Sequence, residues 1–312
     1  MSFINGTATS FTDLRDSLIS GLVANGWSSS GPVVWKGSSY FELTVAATYL
    51  QIYGGTGQSG GVISGKSPHG ARLGGSFMTF PVNYDLHVFA NPDEAYLVVN
   101  YGTVYYQQIS FGTSSIEGAG YGPWFTGPSS TAYGPGPTNG MNIVTDFTMI
   151  YGYSYISVSP MSFGLFNAAN WSSEVGSSFV YTNANGTPGW YGFGSGATSS
   201  RLNSYGAPSI VAGLLNCSPS AFNSGTILLP IKATLDMGSN GKAVVACPTN
   251  ARYCRIDNLT PGDIINFGSD EWKIYPWLSK NEVSRNGASA GTSPPPPSHS
   301  GTFGFAVKYQ GV

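Results

Sequence analysis

Charge is what this chain has least of. Asp, Glu, Lys and Arg make up 9% of its 312 residues, against about 25% in an ordinary globular protein. Its 13 basic residues face 15 acidic ones, for a formal net charge of −2. Without a basic excess to neutralise phosphates, nucleic acid is not an expected partner. Cysteine is nearly absent as well: Cys217, Cys247 and Cys254 are the full set. An odd count argues against a disulfide framework. Cys247 and Cys254 could approach across a hairpin, but their spacing matches no zinc ribbon or redox motif, and three reduced structural thiols are expected. His69, His87 and His299 are too few for a His-rich metal site. No apolar run reaches about 18 residues, so no membrane span is expected. The opening MSFINGTATSFTDLRD has no basic n-region and no apolar h-region, and it does not read as a secretory signal.

Glycine and aromatic residues are plentiful instead. Gly accounts for 43 of 312 residues and aromatics for 14%. Disorder by composition requires few aromatics and high net charge, and neither holds. The surface must be built largely from Ser, Thr, Asn, Gln and Gly, which carries little charge repulsion and suits dense packing against partners.

One helix is signalled. Ser10 can cap, Asp13 follows three residues on, and Leu14, Leu18, Ile19 and Leu22 form an apolar stripe. With Gly26 as a stop, the spacing predicts a helix from Phe11 to Ala24. Strand and turn follow. VVWK (33–36), YFELTV (40–45) and TYLQIY (48–53) are rich in β-branched and aromatic residues. DLHVFA (85–90) and EAYLVVNY (94–101) flank the turn Asn91-Pro92-Asp93, and VYYQQISFG (104–112) completes a three-strand meander. Further strands are expected in Phe147–Ser159 and Ala251–Tyr275. TFGFAVKYQ (302–310) puts Phe303, Phe305, Val307 and Tyr309 on one face. From Gly118 to Ser200 the only charged residues are Asp146 and Glu174. This stretch is rich in Gly, Ser, Asn and Pro yet carries many rings, so it reads as long ordered loops rather than a flexible linker. SPPPPSHSG (293–301) reads as a stiff polyproline-like loop. The fold expected is mainly β: a β-sandwich or meander core with one N-terminal helix and a Gly-rich β insertion. Residues 1–112 supply the helix and part of the core, 113–205 the insertion, and 206–312 the strands that complete the core.

Three well-known patterns overlap between residues 54 and 67. Gly60–Ser67 reads GGVISGKS, a formal phosphate-loop match in which Lys66 would bind phosphate and Ser67 magnesium. That motif needs a strand just before it and a helix just after. Here Pro68 follows, then Gly70, Gly74 and Gly75, which oppose a helix. GTGQSG (55–60) and GQSGG (57–61) fail as dinucleotide-binding and nucleophile-elbow motifs for the same reason. A turn-rich loop between a strand and Ala71–Leu73 is expected, and no cofactor.

Paired carboxylates would be needed by a glycosidase. Asp85, Asp93, Glu94, Asp146, Glu174, Asp263, Asp270 and Glu271 are available, and most read as solvated turn residues, with Asp270 and Glu271 at a hairpin tip. His87 alternates with Leu86 and Val88, which reads as a sheet-face histidine. No catalytic or metal-binding residue is assigned. The functional signal lies in the loop aromatics. Sugars stack on exposed Trp and Tyr faces, and Trp124, Tyr133, Trp190 and Tyr191 have Asn, Ser and Gly neighbours that suit such a site. Rings that fill subunit contacts or small loop cores are the other reading of these four.

The ends of the chain resemble virion structural proteins of tailed bacteriophages. The resemblance rests on DLRDSLISGLVANGWSSSGPVVWKGSSYFELTV with LQIYGGTGQSGG, on PVNYDLHVFANPDEAYLVVNYGTVYYQQISFGT, and on INFGSDEWKIYPWLSK with SGTFGFAVKY. It covers about half of the chain, in pieces, and 113–205 has no counterpart. Its motifs are structural and carry no chemistry. It implies a subunit of the virion, assembled in the host cytoplasm, in a tail baseplate, tail tip or fibre attachment, with a collar or neck position as a variant. The implied partners are other copies of the chain and other virion proteins, joined in symmetric assemblies. A carbohydrate-binding module for a host-surface glycan and a polysaccharide-degrading enzyme are the alternatives.

Overall fold

The computed structural model describes residues 1–116, 122–127, 178–184, 186–192, 202–205, 225–236, 241–285, 288–289 and 297–311. Along the chain run β1 (Ser2–Ala8), α1 (Phe11–Ala24), β2 (Ser28–Ser30), β3 (Val33–Lys36), β4 (Ser39–Ala46) and β5 (Tyr49–Gly55). A small hairpin of β6 (Gly57–Ser59) and β7 (Val62–Ser64) precedes β8 (Ala71–Gly74). The meander is β9 (Val82–Ala90), β10 (Asp93–Tyr101) and β11 (Tyr105–Thr113), followed by β12 (Pro123–Thr126), β13 (Ser178–Thr182) and β14 (Gly189–Gly192). Next come β15 (Leu202–Tyr205), β16 (Leu229–Pro230), β17 (Lys232–Asp236), β18 (Lys242–Ala246) and β19 (Ala251–Arg255). The C-terminal part adds β20 (Ile264–Phe267), β21 (Asp270–Pro276), β22 (Ala288–Ser289), β23 (Pro297–His299) and β24 (Phe303–Tyr309). The protein is mainly β, with α1 the one helix among the described residues.

The helix has the limits its sequence predicts. Ser10 Oγ accepts the Asp13 amide at 3.1 Å, and Asp13 in turn accepts from Thr9. Its buried face is Phe11, Leu14, Leu18, Gly21 and Leu22. Gly21 is there for space: a Cβ would stand 2.6 Å from Leu86 Cδ2, so the helix backbone lies directly on the sheet.

That sheet is the middle layer. Its seven strands run β1-β9-β10-β11-β12-β13-β14, every pair antiparallel. Both of its faces are covered, and alternation sorts its side chains between two cores. Leu86, Val88, Ala95, Leu97, Val99, Ile109, Phe111, Phe125, Phe179 and Trp190 face α1 and the five-stranded sheet β2-β3-β4-β5-β8. Phe89, Tyr96, Val98, Trp124, Val180 and Tyr191 face the other way, toward β17, β18 and the five-stranded sheet β16-β19-β24-β21-β20. An antiparallel sheet with one wet face alternates apolar and polar residues. Here EAYLVVNY is apolar at both parities because each parity has its own core.

The meander agrees with the sequence at both turns. The strand at Ser2–Ala8 was not anticipated: Asn5 and Gly6 interrupt its alternation, and only pairing with β9 makes it a strand. Of the strands at 123–126, 178–182 and 189–192, expected in an inserted region, the first pairs directly onto β11 and the other two follow it in turn, so that they continue the middle sheet. The strands expected within Phe147–Ser159 lie outside the described residues.

Candidate functional site

The loop with the overlapping glycine motifs is a hairpin. β6 pairs with β7, and no helix follows: the chain passes from Lys66 to β8 without helical turns. The two residues a phosphate loop would need are engaged locally. Lys66 Nζ lies 2.5 Å from Glu42 Oε2 and 3.8 Å above the Tyr53 ring. Ser67 Oγ accepts the Gly54 amide at 3.2 Å and donates to the His69 carbonyl at 2.8 Å. The expected turn-rich loop is what the structure contains.

The aromatic candidates lie inside. Trp124 is 1% exposed and Tyr191 0%, both in the core toward the C-terminal sheet. Trp190 is 9% exposed on the opposite face of the middle sheet. Its Nε1 donates to the Gly65 carbonyl at 2.7 Å, and Phe125 and Tyr181 meet its ring edge-on. Gly54 is the other half of this fit, because a Cβ there would be 2.3 Å from Trp190 Cη2. The glycine-rich loop and the aromatic stretch, read separately in sequence, are one packing unit in which the indole plugs the loop. Stacking a sugar needs an open ring face, and these three rings have theirs occupied by protein. Tyr133 lies outside the described residues.

Titratable groups gather where the middle sheet meets the C-terminal sheet. His87 on β9 is fully buried, and its Nε2 lies 2.8 Å from the Tyr275 hydroxyl on β21. Tyr275 donates to Asp85 Oδ2 at 2.8 Å, and Lys273 Nζ sits 2.8 Å from the same oxygen. The Lys308 backbone is a second hydrogen-bonding neighbour of the ring. Lys273 also lies 4.5 Å from the centre of the Phe3 ring, which brings in β1. Burial first, then the nearby Lys273 charge, lowers the His87 pKa to about 3. The ring is neutral at ordinary pH. The sheet-face position expected for His87 is the one observed.

Glu94 departs from expectation. It reads as a turn carboxylate, but it is buried, with its oxygens enclosed by four donors. The Thr249 amide reaches Oε1 at 2.8 Å. The Asn250 amide at 3.1 Å, Asn250 Nδ2 at 2.8 Å and the Tyr96 hydroxyl at 2.8 Å reach Oε2. Burial pushes its pKa up, while the four hydrogen bonds favour the anion. The group spans 155 residues of sequence to fasten β10 to the turn before β19. Asp85 lies in the strand the sequence predicts, but its carboxylate is held by Lys273 and Tyr275 rather than by solvent. Asp270 does flank the β20–β21 turn, as expected, and pairs with Lys308 at 2.7 Å. Asp146 and Glu174 lie outside the described residues.

A cleft of about 480 Å³ opens between the start of α1 and the β4–β5 turn, lined by Phe11, Val45, Thr48, Met78 and Phe80 among others. None of its lining side chains titrates, so it offers no acid–base chemistry. Among the described residues no three His, Cys, Asp or Glu side chains are grouped as metal ligands. Cys247 and Cys254 are free, and burial raises both thiols; Cys217 lies outside the described residues. No described helix is long and apolar enough to cross a membrane. No protein-family model matches the chain, and no curated protein sequence matches it.

Proposed function

We propose that this chain is a structural subunit of a tailed-bacteriophage virion, in the tail baseplate, tail tip or fibre attachment, with other copies of itself and other virion proteins as partners. The observation that carries this reading is how the titratable side chains are used. Asp85, His87, Glu94 and Lys273 join one layer of the fold to the next, and His87 and Glu94 are buried beyond the reach of a substrate. A protein whose work is geometric needs such ties and a weakly charged, adaptable surface. It has both, with 9% charged residues. The sequence resemblance points the same way. Interior placement of Trp124, Trp190 and Tyr191 weakens the glycan-binding alternative.

Gold labelling of purified virions, with antibody raised against the recombinant protein, tests this. Label at the distal tail is the expected result. Label at the neck or head moves the subunit to the collar and keeps its structural role. Absence of label on intact and disrupted particles overturns the proposal and returns the free lectin and the polysaccharide-degrading enzyme to consideration.

A further inference from the structure

The C-terminal sheet has two unlike edges. At one end β16 is two residues long and finishes in Pro230, whose nitrogen carries no proton, so that edge is blocked to further pairing. At the other end lies β20, which no described strand pairs on its outer side. Its hydrogen-bond phase follows from the bulge at its start. The Gly262 amide donates to the Ile274 carbonyl at 2.7 Å, and the Ile274 amide donates to the Asp263 carbonyl at 2.9 Å. Ile274 therefore points its backbone groups at this strand. Two residues on, Trp272 does the same toward Ile265, and Asp270 toward Phe267. Ile264 and Asn266 are left with their amides and carbonyls directed outward. The side chains match this open edge: Ile264 is 45% and Phe267 58% exposed.

The geometry points to β20 as a strand-addition site for a second copy of this chain, with two β20 strands pairing antiparallel across a two-fold axis. One register uses every outward group. Ile264 stands opposite the partner's Asn266, Asn266 opposite the partner's Ile264, and Ile265 opposite itself on the axis. This makes four main-chain hydrogen bonds. It sets two Ile265 side chains in contact beside Trp272, and it brings each Phe267 within diagonal reach of the partner's Ile265. Because the edge is self-complementary in this register, the occupant it fits is its own copy. The blocked edge at Pro230 stops growth there, so the product is a closed pair with one ten-stranded sheet rather than an open fibre. A contact of this size falls well short of the roughly 800 Å² per partner of a stable complex. It forms at high concentration, as in a particle where copies are held side by side. The inference deepens the structural proposal by naming the surface and the partner, but it can fail alone: virion labelling without self-association refutes only the strand pairing.

The test is sedimentation of the purified chain over a concentration series reaching about 1 mM, with two variants. Asn266→Pro removes an outward amide that the β20–β21 hairpin does not use, and Ile265→Lys places two like charges on the axis. The expected result is a monomer–dimer equilibrium in the parent that either variant weakens at least tenfold, with unchanged circular dichroism. Ile265→Cys is expected to give an oxidised dimer on non-reducing gels, whereas Val283→Cys, on an exposed loop elsewhere, is not. A parent that stays monomeric throughout overturns the inference. So does a dimer that Ile265→Lys leaves intact, or one that forms only with a different protein added. If Asn266→Pro unfolds, the lysine and cysteine variants decide.

Discussion

Nε2 of His87 lies 2.8 Å from the hydroxyl oxygen of Tyr275, and this bond joins the middle sheet to the C-terminal sheet. It is formed by a ring that burial keeps neutral, and the fold is therefore coupled to pH.

His87 has an unfolded pKa of about 6.5 and a folded one of about 3. The unfolded chain binds the proton more readily, so the contribution to stability is complete above about pH 6.5 and is lost as pH falls from there toward 3. The slope is about 1.4 kcal/mol per pH unit. Urea unfolding at a series of pH values checks it. His87→Gln, which keeps a polar group toward Tyr275 and does not titrate, is expected to flatten the profile.

Glu94 has the opposite sign. Its folded pKa lies above the unfolded value of about 4.3, so the folded state holds the proton more tightly. Stability gained from this group is fully present below about pH 4.3 and is lost as pH rises through the folded pKa. Glu94→Gln is expected to remove that slope in the same titration. Glu94→Ala leaves four buried donors facing a void and is expected to cost about 3 kcal/mol or more.

Trp190 and Gly54 are expected to behave as one unit. Trp190→Ala empties a large buried site and costs about 3–5 kcal/mol. Gly54→Ala drives a Cβ into the indole and costs about 1–3 kcal/mol. Once Trp190 is alanine, the added Gly54→Ala costs little, so the double mutant falls short of the sum. Chemical denaturation of the four proteins measures the difference, and strict additivity would contradict the plug.

Lys66 is expected to matter little. Its side chain is 40% exposed beside Glu42, and Lys66→Ala should change stability by less than about 1 kcal/mol. Addition of magnesium nucleotide is expected to leave the melting temperature of the parent unchanged. A nucleotide-dependent shift that Lys66→Ala abolishes would reinstate the phosphate-loop reading.

What could be read from sequence was local. The Ser10 cap, with Asp13 accepting from Thr9, and the Asn91-Pro92-Asp93 turn lie within a few residues of the groups they organise, and α1 and the β9–β11 meander appear where the sequence predicts them. The middle sheet's double burial was visible in principle, since EAYLVVNY is apolar at both parities, the mark of a strand with two dry faces. What was hidden depends on partners far along the chain. Glu94 looks like a turn residue until Thr249 and Asn250 arrive beside it. Trp190 looks like an exposed platform until Gly54 and Gly65 close on it. Local composition carries no trace of a neighbour more than a hundred residues away.

The two-sided burial of β10 has a consequence for how this sequence can change over time. A strand such as β4 buries every second residue and leaves the alternate ones half-exposed, so it can vary on that face. β10 has a core on each side, β9 along one edge and β11 along the other, so nearly every substitution in it meets an occupied neighbour. Drift will accumulate first in strands buried on one face only, and a relative too diverged to align there should still betray its kinship through the string DEAYLVVNY.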